Sequence, residues 1–139
     1  MEVLVLGAHN RETPTTRMTS LLIDGLVAVD AGALTSTLSL KTQEALQAVL
    51  LTHRHFDHLR DVPVLALNTV GCGSTLPVYG LPDTLLHLQS HLMDGALYPD
   101  FTRRPSAEKP RLRLLPVEPL RPFPLLGYQV MAVPVPHAA

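Results

Sequence analysis

Val49-Leu50-Leu51-Thr52-His53-Arg54-His55-Phe56-Asp57-His58 is the stretch that decides the fold. Its opening, Val49-Leu50-Leu51, is short and uniformly apolar, the composition of a buried strand rather than a surface element. Three of the chain's seven histidines follow within six positions, with Asp57 between the last two. Residues two apart on an extended segment point the same way, so His53 and His55 present their imidazoles to one metal ion. Asp57 and His58 lie where the chain turns towards the next helix, and there they face a second ion. Imidazole and carboxylate ligands suit zinc and also admit manganese or iron. An isolated His-x-His is explained equally well by polar loop residues, but the whole string directly behind a buried strand is not.

Upstream of this stretch, Met1 to Leu6 and Ser20 to Asp24 read as two strands joined by a polar segment. Asp24-Gly25 is a hairpin signal, and Leu26 to Val29 is the return strand of one antiparallel sheet. Thr42 to Val49 carries Ala45, Leu46 and Val49 at helical spacing, with Ser39 available as a cap. Downstream, a helix is expected from Asp61, where Pro63 is tolerable because it falls in the first turn. Leu76 to Gly80 reads as a strand and Asp83 to Met93 as a helix capped by Asp83. Nine of the 13 prolines lie between Pro99 and Pro136, around the strand-like runs Arg111 to Leu115 and Tyr128 to Val133. Prolines there favour edge strands and tight loops. With no internal repeat and no linker, residues 1–139 read as a single domain of α/β class, or part of one.

Composition narrows the function. With 46% apolar and 17% charged residues the chain is globular, and a net charge of −1 offers no broad attraction for nucleic acid or anionic membrane. Recognition of phosphate must be local. No apolar run approaches the roughly 20 residues needed to cross a bilayer. The first residues lack the basic lead and long apolar core of a secretory signal, which makes a cytoplasmic chain the default. Cys72 is the only cysteine, so an internal disulfide and a cysteine-based zinc cluster are both excluded, and a small buried or loop thiol is expected. His9 reads as a solvated loop residue, and His87 and His91 as one face of a helix, for lack of a His-Glu-x-x-His pattern.

Thr52 to His58 resembles the signature of the metallo-β-lactamase superfamily. Val29-Asp30-Ala31-Gly32 is similar to that family's Asp-x-Gly at a strand end, and Pro134-Val135-Pro136-His137 to the strand-end histidine that completes its first metal site. The resemblance implies a four-layer αββα sandwich, of which this chain supplies mainly the N-terminal half, one mixed sheet with flanking helices. It implies that His53, His55 and His137 hold one divalent ion and that Asp57 and His58 hold the other. Asp57 would orient the nucleophile and accept a proton, while Asp30 would support a ligand rather than bind metal, although Asp before Gly also suits a plain turn. Relatives often place two glycines after the last motif histidine where this chain has Leu59-Arg60-Asp61, and Arg60 is a candidate for phosphate contact as well as an ordinary helix-start arginine.

Within that family, Val78 to Leu85 and His91 to Phe101 look like class II cyclic-nucleotide phosphodiesterases. Leu6-Gly7 with Pro14 to Leu22 is similar to the tRNA 3′-end-processing endonucleases. The expected function is hydrolysis of a small-molecule phosphodiester, a cyclic nucleotide in first place, at two divalent metals. RNA 3′-end processing is the enzymatic alternative, and a non-catalytic metal-binding or assembly module is the alternative of another class. A bridging carboxylate and a further histidine normally follow later in such chains and find no counterpart here. The expectation is therefore a partial domain, completed by a later segment or by a second chain, with the uncovered sheet face forming an apolar patch.

Overall fold

Asp24 and Gly25 both take left-handed backbone angles, φ 47° and 71°. This is the geometry of the tight hairpin turn that Asp-Gly favours. In the computed structural model, which describes residues 1–137, the turn joins β2 (Ser20–Ile23) to β3 (Val27–Val29) in antiparallel register, with β1 (Val3–Gly7) antiparallel on the outer side of β2. Positions 138 and 139 of the expected 1–139 domain lie outside the described residues. The sheet then becomes parallel through β4 (Ala48–Leu50), β5 (Leu76–Gly80) and β6 (Leu112–Pro116), in the spatial order β1 to β6. It is a mixed sheet with flanking helices, the α/β architecture expected from the sequence.

Parallel neighbours need crossover connections, and helices supply them. Between β3 and β4 run α1 (Leu34–Thr37) and α2 (Leu40–Ala45), and between β4 and β5 run α3 (Phe56–Leu59) and α4 (Asp61–Asn68). After β5 comes α5 (Pro82–His87), prolonged by a π-helical turn, Leu88–Leu92. The helices bury Leu34, Leu59, Val62, Leu65, Leu85 and Leu88 against Leu22, Ala28, Val49 and Val78 on one sheet face. Alternate residues Val27, Ala48, Leu50 and Tyr79 face the other way, where the hairpin of β7 (Phe123–Leu125) and β8 (Tyr128–Val130) packs Leu125 and Phe123 on them. The period of two along each strand thus serves two apolar layers.

Several boundaries differ from the sequence expectation. The helix read over Thr42 to Val49 is Leu40–Ala45, because Ala48 and Val49 are claimed by β4; Ser39 does cap it, accepting from the Thr42 amide at 3.2 Å. The helix read from Asp83 starts at Pro82, whose ring suits a first helical position, and Leu81 is its cap. Asp83 instead pairs with Arg54 and His87. The strand read over Tyr128 to Val133 ends at Val130. The uncovered sheet face is only partly bare, since β7 and β8 roof β3 to β5. Beyond them lies an apolar cavity of about 670 Å³ bounded by Val29, Leu50, Tyr79, Phe123, Val133 and Val135. Among the described residues no helix is long and apolar enough to cross a membrane.

The register aligns the carboxyl ends of β3, β4 and β5: Val29 pairs with Leu50 and Leu50 with Tyr79. The loops that leave these ends meet at one edge of the sheet, where sites in open parallel sheets form. Gly32 lets the first of them pass the second. A Cβ there would lie 2.0 Å from the Asp57 carbonyl oxygen and 2.8 Å from that of Thr19, and backbone cannot yield cheaply. Gly32→Ala is expected to lower stability by more than about 3 kcal/mol, read from urea unfolding. An unchanged midpoint would show that the two loops are not locked together.

Candidate metal centre

Leu51 keeps the chain extended beyond β4 through its amide bond to the Tyr79 carbonyl, 2.8 Å, and Thr52 is then captured by Asp30. The Asp30 carboxylate is buried and accepts from the Thr52 amide (2.8 Å), the Thr52 hydroxyl (2.9 and 3.0 Å) and His58 Nδ1 (2.7 Å). Its backbone is itself unusual, with φ 60°. A non-glycine residue there costs on the order of 1 kcal/mol or more, and three charge-assisted hydrogen bonds offset it. Asp30 is therefore both a turn residue and a support, the two roles the sequence posed as alternatives.

This network assigns the tautomers. A carboxylate only accepts, so His58 donates from Nδ1 to Asp30, which leaves Nε2, 3.4 Å from Asp57 Oδ2, as the nitrogen that the neutral ring would offer to an ion. The Thr52 hydroxyl gives its one proton to Asp30, so the contact of 3.0 Å between Thr52 Oγ1 and His53 Nδ1 is donated by the histidine. His53 Nε2 is then a bare lone pair as well. It lies 3.0 Å from His55 Nδ1 and 3.1 Å from His137 Nε2, and the last two nitrogens are 3.1 Å apart.

Three ring nitrogens in a triangle of this size cannot all be satisfied by one another's protons. A divalent cation would satisfy all three together, with His53, His55 and His137 as its ligands. His53, His55 and His137 are the one such group of three among the described residues. Asp57 and His58, at the start of α3, offer two further ligand atoms beside it, the His53 and His58 rings being 4.1 Å apart. The donor set fits divalent metal, with imidazole and carboxylate but no thiolate.

Burial pushes the His53 imidazole below its usual 6.5, and the neighbouring His58, His55 and His137 rings push the same way against an opposing Asp30. The neutral form that metals require is thus favoured at neutral pH.

His137 does not reach the site at a strand end as the sequence suggested. It arrives on an irregular extended segment, where Pro134 and Pro136 offer no amide donors and the last tie upstream is the Ala132 carbonyl accepting from Leu120, 2.8 Å. Arg60 is committed elsewhere: its Nε bonds the Gly32 carbonyl at 2.9 Å, and its guanidinium pairs with Glu12 and Asp61. His9 stays in its exposed loop, while His87 and His91 stand on the helix surface with ring centroids 5.3 Å apart. Sequence reasoning passed over Ser20, which is wholly buried. Its hydroxyl accepts from the Gly32 and Ala33 amides, 2.9 Å each, and donates to the Asp30 carbonyl. Asp61 was also missed; it caps α1 by accepting from the Thr35 amide at 2.9 Å.

A mixed α/β sheet whose parallel strand ends gather histidines and a carboxylate is a metal-binding type of architecture. Residues 19–139 match the family described as beta-lactamase superfamily domain, and the chain belongs to it, within the metallo-β-lactamase superfamily. Among solved structures it is similar to yeast PDE1 (TM-score 0.74, 17% identity, covering 93% of this chain and 54% of that one). It is also similar to the metallo-β-lactamase fold protein YhfI of Bacillus subtilis (0.68, 20%, 93% and 50%). A third is the short form of human tRNase Z (0.53, 21%, 68% and 39%). The chain thus spans about half the length of the first two structures. No curated protein sequence matches it. The fold family consists largely of hydrolytic metallo-enzymes.

Asp30→Asn keeps the size but turns an acceptor-only group into one that presents an amide N–H to a donor. Metal affinity is expected to fall roughly 10- to 100-fold in competition with a chromophoric chelator, the usual effect of losing a ligand's outer partner. With the wild type, the same titration should show affinity decreasing from pH 8 to pH 5. The sign follows from protons and metal competing for the same imidazole nitrogens. Affinity that rises on acidification would exclude these histidines as the ligands.

Proposed function

We propose that the protein is a metal-dependent hydrolase of phosphodiester bonds, acting in the cytoplasm on a small molecule, with a 3′,5′-cyclic nucleotide as favoured substrate. The observation that carries this reading is the convergence of His53, His55 and His137 nitrogens at 3.0–3.1 Å. Those three would hold one divalent ion, and Asp57 with His58 would contribute to a second, zinc being favoured and manganese or iron allowed by the ligands. When bound, such ions polarise a phosphoryl oxygen and make water acidic enough to serve as a nucleophile near neutral pH.

The chain's own residues supply orientation and proton handling. Asp57, with Oδ2 beside His58 Nε2, aligns the attacking water and takes its proton. Asp30 fixes His58 in the tautomer that leaves Nε2 free. The phosphodiester preference is supported by the likeness to yeast PDE1, a phosphodiesterase, and by the sequence resemblance over Val78 to Leu85 and His91 to Phe101. Near-neutral charge argues against a polynucleotide, whose binding rests on neutralising many phosphates.

The protein loaded with zinc or manganese, its metal content measured in parallel, is to be assayed with cyclic AMP, cyclic GMP and a precursor tRNA. Turnover of a cyclic nucleotide is expected, with His53→Ala losing both metal and activity. Asp57→Asn should keep metal at the three-histidine position yet lose about 100-fold or more in kcat. Cleavage of the tRNA alone would move the protein to RNA processing. Stoichiometric metal without turnover of any of the three would leave a metal-binding module in place of an enzyme.

A further inference from the structure

Two histidines outside the three-histidine group share one helix surface. His87 closes α5, and His91 lies in the π-helical turn Leu88–Leu92 that prolongs it; their ring centroids are 5.3 Å apart at an interplanar angle of 71°. Within the metal centre, His53 and His55 stand at 4.6 Å and the same 71°. Residues four apart fall short of alignment on an α-helix, whose turn holds 3.6 residues, and the wider π turn takes up the difference and brings positions 87 and 91 towards one line. His91 is exposed and His87 half-buried, and neither belongs to the group of His53, His55 and His137.

Local bonding prepares this pair for a ligand. His87 Nδ1 lies 2.8 Å from the Asp83 carbonyl oxygen and 3.3 Å from Asp83 Oδ1. A carbonyl only accepts, so His87 donates from Nδ1, which leaves Nε2 as the nitrogen that the neutral ring would offer to an ion. An outer hydrogen bond of this kind is what orients metal-ligating histidines in general. Asp83 is itself anchored, its other oxygen lying 2.5 Å from Arg54 Nη1. Beyond His91, Asp94 Oδ1 accepts from the Ala96 and Leu97 amides at 2.8 and 3.3 Å. Those bonds, and after them the nearby His91 ring, hold the Asp94 carboxyl below the usual carboxylate range, which places a negative charge beside the pair.

We propose that His87 and His91 form a further, separate binding site for one divalent transition-metal ion, held by one nitrogen of each ring with water completing its shell. Imidazole ligands select ions of the first transition row, and among these copper(II) binds most tightly, ahead of nickel and zinc. Magnesium and calcium, which take oxygen ligands, are excluded. Two rings four residues apart chelate one ion only while the helix is formed, so the ion also fastens α5 to its π-helical turn. Neither histidine takes part in the proposed hydrolysis, and the site stands or falls apart from that activity.

The whole protein, stripped of metal, is titrated with copper(II) or zinc(II) and treated briefly with diethyl pyrocarbonate, and the modified histidines are located by peptide mass. Copper should protect His87 and His91 together over one concentration range, and at lower concentration than zinc. His91→Gln, at an exposed position where circular dichroism should not change, should raise the copper concentration that protects His87 by at least about tenfold, the lower end of what losing even a ligand's outer partner costs. His87→Gln should do the same to His91. His53→Ala should leave the protection of the pair as in the wild type, which separates this site from the three-histidine centre. Equal modification of His87 and His91 with and without copper, protection of either that survives loss of the other, or loss of the pair's protection in His53→Ala overturns the proposal.

Discussion

One buried carboxylate holds the ligand loop to the sheet. Asp30 closes β3, and its two oxygens bind the Thr52 amide and hydroxyl as the chain leaves β4 and His58 Nδ1 as it enters the helices. Without that acceptor, three hydrogen bonds to one charged group are lost together. Everything around Asp30 serves to keep it in a backbone conformation it would not choose. The Ser20 hydroxyl donates to the Asp30 carbonyl and accepts from the Gly32 and Ala33 amides, the Asp30 amide donates to the Leu50 carbonyl, and the Ala31 amide donates to the His58 carbonyl at 2.6 Å. The strained residue is over-determined, which is how such conformations persist at functional sites.

The same carboxylate dictates chemistry at a distance. By accepting from His58 it leaves Nε2 bare, and by holding the Thr52 proton it forces His53 to donate from Nδ1. His58 Nε2 lies beside Asp57, and His53 Nε2 lies beside two further ring nitrogens. A cation held by those three rings would satisfy them together, and its binding would be coupled to folding through these residues. His137 comes from 82 positions beyond His55, which means that the coupling also ties the last described segment to the sheet.

Much of this was legible in the sequence, for identifiable reasons. The Asp24-Gly25 hairpin, the buried strand before Thr52 and the helix tolerating Pro63 each rest on a local rule that tertiary context did not override. That His53 and His55 present their rings to one point was readable because residues two apart on an extended segment share a side, whereas His137, which joins them, entered only through the family resemblance. What failed did so where two elements compete for the same residues: Val49 fits a helix pattern but pairs in parallel with Ala28 on one side and Val78 on the other, and Ala48 pairs with Val27. Asp83 looked like a cap until Pro82 took the first helical position and freed its side chain for Arg54. Ser20 was invisible because its value lies in three amide and carbonyl groups of a loop ten residues away.

The charge distribution sets a final constraint on how an anionic substrate is held. Arg60 is bound to the Gly32 carbonyl and faces Glu12 and Asp61, and Arg54 points from the ligand motif to Asp83. The two arginines nearest the histidines in sequence therefore already have carboxylate partners, and the cavity reaching His53 and His137 is lined by apolar groups such as Leu50, Tyr79 and Val135. Under the proposed function, neutralisation of a phosphodiester would fall to the metals that these residues would hold. Metal at this edge of the sheet would thus govern binding as much as reaction, and the near-zero net charge of the chain becomes intelligible: attraction is concentrated at one point instead of being spread over the surface.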